Sequence, residues 1–493
     1  PDIECPNPIN PEDDASLINT EILRGCIFYS EGKKRLTLQT ATEYDTDFNA
    51  NVINYKDFSS LAYPSKKEIG SENPKFNFIF AARFFYDKFV SLSETDMKKF
   101  VFFIFNQVKL IRITCYSVPF AIKLFQVLND RGMPLSSSDI IKSYIMGRIF
   151  KDGEKERIGA KFASNWKALE KLATDYDFKL DDFMVYYEYF KLRSNPKRQV
   201  VDELKAVIEN EDIEIENIVD EMKLFADNLE EILKSNDTLI YSLMYLPWPT
   251  YIISCLTAAW FCKYGIKKNK NEKNEEIFDF QNRDKLIALM RRYFYLAFVS
   301  GKTLNQIKQT SFRLLFLIAD QKPIEEIEDH LNASIKKNKM IRGTNEALKD
   351  DLFGECFLKP LLLSIEYEIR EKTNTSFTEI DHKLHVDHIL PQAFASDADW
   401  DYIDKNQAAK FMDKLGNMAL LNYQKNEEAL NKGFAIKCRI YQGQGADGKK
   451  SSGVTCFDST REIVSLCAKG NPRWTFDDIQ RRSEVQRGRI EKM

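Results

Sequence analysis

The chain has 493 residues, a formal net charge of −3 and a composition that is 44% hydrophobic. This hydrophobic content excludes a disordered chain, and the near-neutral charge excludes a uniformly basic surface for nucleic acid while leaving room for a local basic patch. A chain of this length is expected to form two or three domains. Glycine (19) and proline (15) are scarce, which favours long helices and few tight turns.

The nine cysteines are scattered along the chain and form no Cys-x-x-Cys pair. This spacing predicts neither a disulfide framework nor a thiolate zinc site, and a reducing cytoplasm is the simplest expectation. Because the longest apolar runs fall short of the roughly 18 residues that a membrane-spanning helix needs, no such helix is predicted. No secretory signal peptide is recognisable either.

Helical patterns dominate the chain when it is taken in order. Apolar residues recur at helical spacing in 74–91 and 94–111, and again in long amphipathic segments at 214–234 and 279–300. Residues 266–276 have no apolar period, so we expect an exposed loop there. The sequence therefore predicts a mainly α protein with smaller α+β parts.

Three of the four histidines lie within seven positions: His382, His385 and His388. The run from Leu384 to Leu390 is apolar and strand-like, and Pro391 is consistent with the end of a strand. Adjacent residues on a strand point to opposite faces. Asp387 and His388 can therefore converge on one phosphate only if the strand ends at this point.

An Asp-His pair of this kind suits the hydrolysis of a phosphodiester bond. A neutral imidazole can take the proton of the attacking water. A hard cation such as Mg²⁺ prefers carboxylate and amide oxygens, keeps several waters, and stabilises developing charge as a Lewis acid. The residues at this strand end therefore indicate a metal-dependent nuclease.

The series around this pair resembles an HNH nuclease of the ββα-metal superfamily. The matching residues are Val386-Asp387-His388-Ile389-Leu390-Pro391-Gln392, Gly416-Asn417 and Asn426. The resemblance implies that Asp387 and Asn426 bind the metal and that His388 is the general base. It implies that Asn417 holds the loop and orients the base, with Asn431 as a weaker substitute for Asn426.

A narrower resemblance is to GmrSD-type restriction proteins, in which a ParB-like, nucleotide-sensing domain precedes an HNH nuclease domain. Leu415-Gly416-Asn417, Asn426, Asn431-Lys432, Phe434 and Lys437 match the nuclease domain. A turn pattern from Phe125 to Lys142 matches the N-terminal domain. The Asp-Gly-Gln-Gln-Arg motif that the family links to nucleotide binding is missing here, so the chain either begins after that motif or lacks it.

Other interpretations of the same residues stay open. Three histidines with Asp387 would suit a structural Zn²⁺ site, and the protein would then be a DNA-binding or scaffold protein without catalysis. An HNH nuclease that acts on RNA is a third interpretation. Residues 432–493 carry 13 Lys/Arg against 7 Asp/Glu, which favours a surface that follows phosphates.

We therefore predict three parts: the remainder of an N-terminal sensing domain (1–150), a helical spacer (151–350) and an HNH ββα-metal nuclease domain (351–493). The expected cofactor is Mg²⁺, with Mn²⁺ able to substitute. By resemblance, the expected partner is double-stranded DNA, foreign and carrying modified bases, in the bacterial cytoplasm. Homo-oligomers and nucleotide regulation are further expectations.

Overall fold

The computed structural model describes residues 45–69, 75–109, 113–115, 120, 124, 136–151, 155–210, 212–270, 276–370, 378, 380, 383–445, 457–467 and 472–492. The chain divides into two compact units, residues 1–114 and 115–493. The predicted division into three parts stays a prediction. His382 and most of the turn pattern from Phe125 to Lys142 lie outside the described residues.

The described part of the first unit is helical. Its helices are α1 (Asp45–Phe48), α2 (Lys66–Ile69), α3 (Lys75–Val90) and α4 (Glu94–Gln107). The Ser93 hydroxyl caps α4 by accepting a hydrogen bond from the Asp96 N–H at 3.1 Å, which satisfies one of the unpaired donors at a helix start. The helices predicted at 74–91 and 94–111 are confirmed.

The second unit begins with a helical body, residues 137–369. Its helices are α5 (Ser137–Lys151), α6 (Lys155–Asp175), α7 (Leu180–Leu192), α8 (Val200–Ile208), α9 (Ile215–Leu233), α10 (Thr238–Met244), α11 (Pro249–Phe261), α12 (Gln281–Val299), α13 (Leu304–Ala319), α14 (Ile324–Lys337), α15 (Met340–Ala347) and α16 (Leu358–Ile369). Helix α11 is apolar on all sides and lies in the centre, and α9 buries one apolar stripe. The long helices predicted at 214–234 and 279–300 are confirmed as α9 and α12.

A β-hairpin interrupts the helical body where a loop was expected. Strands β1 (Lys267–Lys270) and β2 (Glu276–Asp279) pair antiparallel, with Lys267 opposite Asp279. The prediction of a loop over 266–276 was wrong for these ends. Backbone hydrogen bonds hold such a hairpin, so the polar side chains gave no apolar period to read.

The C-terminal region, residues 383–492, contains a strand–strand–helix unit. Strands β3 (Leu384–His388) and β4 (Met418–Asn422) pair antiparallel and are followed by α18 (Tyr423–Ala429). The other helices of the region are α17 (Lys405–Ala408), α19 (Phe434–Tyr441), α20 (Asp458–Cys467) and α21 (Phe476–Lys492). Helices prevail and the strands are short, which confirms the predicted fold class.

The β3–β4 pair lies between two hydrophobic cores. Leu384, Met418 and Leu420 belong to the core of the helical body. Ala419 and Leu421 belong to a second core, which contains Trp400, Tyr441 and Trp474. Because alternate residues of a strand face opposite sides, β4 contributes to both cores and fixes β3 between them.

The sequence predicted no membrane-spanning helix. Among the helices that the structure describes, none is long and apolar enough to cross a membrane.

Cys438 is disulfide-bonded, although the cysteine spacing predicted no disulfide framework. Sequence spacing did not reveal this bond because the fold, rather than a local motif, brings a cysteine to its partner.

Candidate active site

Strand β3 ends at His388, as the sequence predicted. Ile389 leaves the strand while its N–H still donates to the Asn417 carbonyl at 2.9 Å. Asp387 pairs with Ala419 and His388 with Met418 in the register of the hairpin. The contacts of the two side chains nevertheless differ, since Asp387 turns toward α19 and His388 turns toward the segments around Asp413 and Phe353.

The carboxylate of Asp387 accepts hydrogen bonds from two groups on α19. Lys437 Nζ lies 3.0 Å from each carboxylate oxygen and 2.5 Å from the His388 carbonyl, and the Tyr441 hydroxyl donates to Oδ2 at 2.7 Å. The Lys437 side chain is 0% exposed. Burial lowers the pKa of Lys437 against the opposing pull of Asp387, and it raises the pKa of Tyr441 well above its usual value.

The imidazole of His388 is held by a carboxylate and an aromatic ring. Its Nε2 lies 2.7 Å from Asp413 Oδ1, and its ring centre lies 4.3 Å from that of Phe353. His388 is only 8% exposed. A histidine at the end of a strand is thus fixed by two residues that are distant from it in sequence.

Asn417 is completely buried and binds the loop that follows β3. Its Oδ1 accepts from the Leu390 N–H at 2.8 Å and from Trp474 Nε1 at 3.1 Å. Its Nδ2 donates to the carbonyls of Leu390 at 3.0 Å and Met412 at 2.7 Å. These contacts connect the end of β3 to residue 412, next to the partner of His388. The role that the sequence resemblance implied for Asn417 stays a prediction.

The glycine before Asn417 allows α21 to come close. A Cβ atom at Gly416 would lie 1.9 Å from the carbonyl oxygen of Ile479 in α21, so only glycine fits this position. Arg482 of the same helix donates to the carbonyls of Gly416 at 2.8 Å and Met418 at 2.6 Å. Burial lowers the Arg482 pKa to about 10. Gly416-Asn417 is therefore the point where the hairpin is fixed to α21.

Asn426 lies on α18, beside His385. Its Nδ2 is 3.4 Å from His385 Nδ1, and the His385 ring is 5.3 Å from that of Tyr423. Lys383, His385, Asn422, Tyr423 and Gln424 line an open groove of about 670 Å³. Asn431 lies exposed in the turn after α18.

His385 and Asp387 share one face of β3, and the contacts of His388 lie on the other. His385 meets Asn426 and Tyr423, whereas His388 meets Asp413 and Phe353. This arrangement disfavours a Zn²⁺ site built from His385 and His388 together. In the described parts of the chain, no group of three or more His, Cys, Asp or Glu side chains is arranged to hold a metal ion.

The two predicted metal ligands, Asp387 and Asn426, offer few oxygens, so a cation held by them would keep most of its water. A carboxylate offers about four acceptor positions, and Lys437 and Tyr441 use three of those on Asp387. By this count one acceptor position of Asp387 remains, and the amide oxygen of Asn426 is the other predicted protein ligand. Mg²⁺ is usually bound in this way, by one or two protein oxygens and several waters.

Several residues of this site carried no interpretable signal in the sequence. Lys437 belongs to the matching series, but its contact with Asp387 was not predicted. The sequence gives Asp413, Phe353 and Trp474 no distinguishing pattern, and each reaches the site only through tertiary packing. For Tyr441, its spacing from Lys437, one helical turn away, is the only signal that could have suggested a shared helix face.

Two family models match the chain. The model described as GmrSD restriction endonucleases, C-terminal domain, matches residues 336–485. The model described as GmrSD restriction endonuclease, N-terminal domain, matches residues 15–146. The two matched ranges together cover more than half of the 493 residues. No curated protein matches the chain.

Proposed function

Since the chain belongs to the GmrSD family of restriction endonucleases, we propose that its C-terminal region is a metal-dependent DNA endonuclease of the HNH type. The reaction is hydrolysis of a phosphodiester bond in double-stranded DNA. Its role is the restriction of foreign DNA that carries modified bases, in the bacterial cytoplasm. The end of β3 carries the proposal, because Asp387 and His388 lie there beside a loop that Asn417 holds in place.

His388 is the general base of the proposed reaction. Its ring is fixed by neighbouring side chains, and imidazole is the side chain whose ordinary pKa lies nearest neutral pH. It takes a proton from the water that attacks phosphorus. Asn417 acts on the reaction indirectly. It fixes the loop from Leu390 to Met412, and its side chain is buried away from any position open to substrate.

Asp387 and Asn426 are the protein ligands of the proposed metal site. When bound, Mg²⁺ or Mn²⁺ would neutralise charge on the scissile phosphate and the leaving oxygen. Lys437 and Tyr441 hold the Asp387 carboxylate in one orientation. Regulation by a nucleotide and assembly into homo-oligomers stay predictions.

The first test is cleavage of supercoiled plasmid by the whole chain with Mg²⁺ or Mn²⁺. We expect His388→Ala to lower the rate by roughly 100-fold or more, which is the contribution typical of a general base. His330→Gln is the control, because His330 lies on α14 and its Nε2 is 3.0 Å from the Thr310 carbonyl in the helical body. Equal cutting by His388→Ala and the parent would contradict the assignment.

Chelation and competition separate this proposal from the other two interpretations. We expect EDTA to stop cleavage and added Mg²⁺ to restore it. Stoichiometric Zn²⁺ that survives dialysis, in a protein that does not cut, would instead indicate a scaffold protein with a structural metal. Inhibition of plasmid cleavage by structured RNA, together with hydrolysis of that RNA, would indicate an RNA-directed nuclease.

A further inference from the structure

The surroundings of His388 contain a carboxylate that the sequence did not single out. Asp413 Oδ1 lies 2.7 Å from His388 Nε2, and the Asp413 side chain is 30% exposed. An ionised carboxylate can only accept a hydrogen bond. In a neutral imidazole, this contact therefore places the hydrogen on Nε2 and leaves the lone pair on Nδ1.

The segment from Met412 to Lys414, which contains Asp413, is held by contacts on two sides. On one side, the Met412 carbonyl accepts from Asn417 Nδ2 at 2.7 Å. On the other, the Asp413 carbonyl accepts from the Leu352 N–H at 2.8 Å, and Lys414 Nζ lies 3.0 Å from Asp351. The segment that precedes α16 in the helical body is thus attached directly to the partner of His388.

The same segment brings Phe353 against the imidazole. The two rings are 4.3 Å apart at an angle of 52°, and Phe353 is itself 49% exposed. The ring contact restricts rotation of His388 about its side-chain bonds, while the hydrogen bond to Asp413 selects one orientation. The helical body thus contributes to the site through Phe353, and through the Leu352 N–H that holds the Asp413 carbonyl.

We propose that Asp413 is a positioning residue that holds His388 as the Nε2–H tautomer, so that Nδ1 accepts the proton of the attacking water. This inference rests on the proposed nuclease function. In the step, the water oxygen bonds to phosphorus, the bond from phosphorus to the leaving oxygen breaks, and the water proton moves to Nδ1. The leaving oxygen takes its proton from solvent. Asp413 touches neither substrate nor reacting atoms, and it acts through His388 alone.

The test compares Asp413→Asn, Asp413→Ala and Asp413→Glu with the parent in plasmid cleavage. We expect the first two to lower kcat by at least about 10-fold with little change in KM, because they misalign a general base and leave DNA contacts intact. Asp413→Glu keeps the carboxylate and should retain more of the rate than Asp413→Asn. Asp401→Asn is the control, because Asp401 is an exposed aspartate of the same region.

A spectroscopic measurement distinguishes positioning from a merely structural role. The chain has only 4 histidines, so ¹⁵N-histidine labelling gives four ring systems, and His388→Gln assigns the one in question. We expect the parent to show His388 with hydrogen on Nε2, and Asp413→Asn, whose amide can donate, to move hydrogen to Nδ1. An unchanged tautomer in a folded Asp413→Asn protein would overturn the inference.

The two proposals fail in different ways. A parent protein that cuts no nucleic acid contradicts the nuclease function, and the tautomer measurement then still decides whether Asp413 fixes His388. A parent that cuts, with Asp413→Asn and Asp413→Ala cutting equally fast, overturns the role of Asp413 and leaves the nuclease function intact. Phe353→Leu adds a further check, because an exposed ring can be shortened with little loss of stability, and a smaller fall in kcat is expected.

Discussion

At the scale of single residues, the site depends on polar groups that are buried and hydrogen-bonded to other parts of the chain. Asn417 makes four hydrogen bonds, to the backbone at Leu390 and Met412 and to the Trp474 side chain. Lys437 neutralises Asp387 in a place from which water is excluded. Removing one partner destabilises the fold by more than the net energy of the hydrogen bond, because the other partner is left buried and unpaired.

Asn417→Ala tests this for the loop. The change leaves the Leu390 N–H, two carbonyls and the Trp474 N–H without their partner, so we expect the C-terminal region to lose about 2–4 kcal/mol of unfolding free energy, at about 1–3 kcal/mol per unsatisfied group with partial relaxation. Urea denaturation followed by tryptophan fluorescence measures it. A change within 0.5 kcal/mol, about that of a neutral surface substitution, would contradict this.

Lys437→Met tests the buried ion pair. It leaves the Asp387 carboxylate buried without a counter-charge, and we expect a loss of about 3–5 kcal/mol. Combining it with Asp387→Leu removes both charges and should recover much of the stability, because a buried pair replaced by apolar residues is often nearly neutral. The double variant should nevertheless remain inactive in plasmid cleavage. Equal stability of Lys437→Met and the parent would show that Asp387 finds other partners.

At the scale of elements, one carboxylate joins the helical body to the C-terminal region. Glu366 on α16 is completely buried and accepts from the N–H groups of Asp458 at 2.7 Å and Ser459 at 2.9 Å, at the start of α20. Its Oε1 also accepts from Arg370 Nε at 3.0 Å. A helix start presents unpaired N–H groups and a partial positive charge. Glu366, which lies outside α20, accepts hydrogen bonds from two of these N–H groups, and its negative charge offsets the partial positive charge.

Glu366→Gln is therefore expected to weaken the attachment of α20. The amide replaces one accepting oxygen with a donor that faces other donors, and Arg370 loses its buried counter-charge. We expect a loss of about 3–5 kcal/mol, together with faster amide hydrogen exchange in α20. The exposed pair Arg342–Glu346 provides the control, because solvent screens an exposed ion pair and Glu346→Gln should change the stability little.

At the scale of the whole molecule, the helical body makes stability depend on pH. Glu188 on α7 is 3% exposed, and its Oε1 has no hydrogen-bond partner among the described residues. Burial raises the pKa of Glu188 to about 7, and Glu203 adds to the rise while Lys308 opposes it. Because the folded pKa exceeds the unfolded one, stability is fully present below pH 4.5 and is lost as pH rises through about 7.

Glu188→Gln should remove this part of the pH dependence. The amide cannot ionise, so we expect the variant to be more stable than the parent at pH 8 and equally stable at pH 4.5. Thermal unfolding at the two values measures the difference, and Glu231→Gln, on the exposed side of α9, is the control. A variant less stable than the parent at pH 8 would mean that Glu188 is paired when ionised.

Much of the fold was readable from the sequence because it follows from local periodicity. The helices α3, α4, α9 and α12 appeared in their predicted places, since an apolar stripe at helical spacing must be buried whatever the partner. The end of β3 was readable for a similar reason, because Pro391 and the apolar run before it define a strand that stops. The β1–β2 hairpin was missed because backbone pairing leaves no trace in polar side chains.

The sequence by itself determined the prediction of which residues carry the proposed chemistry: Asp387, His388, Asn417 and Asn426, in that order. Only the tertiary structure decided what surrounds them. It placed Lys437 and Tyr441 on Asp387, and it placed Asp413 and Phe353 on His388. Motif residues are recognisable because a family resemblance assigns them by their order and spacing in the sequence. Their partners are fixed by packing between segments far apart in the chain, for which local spacing holds no information.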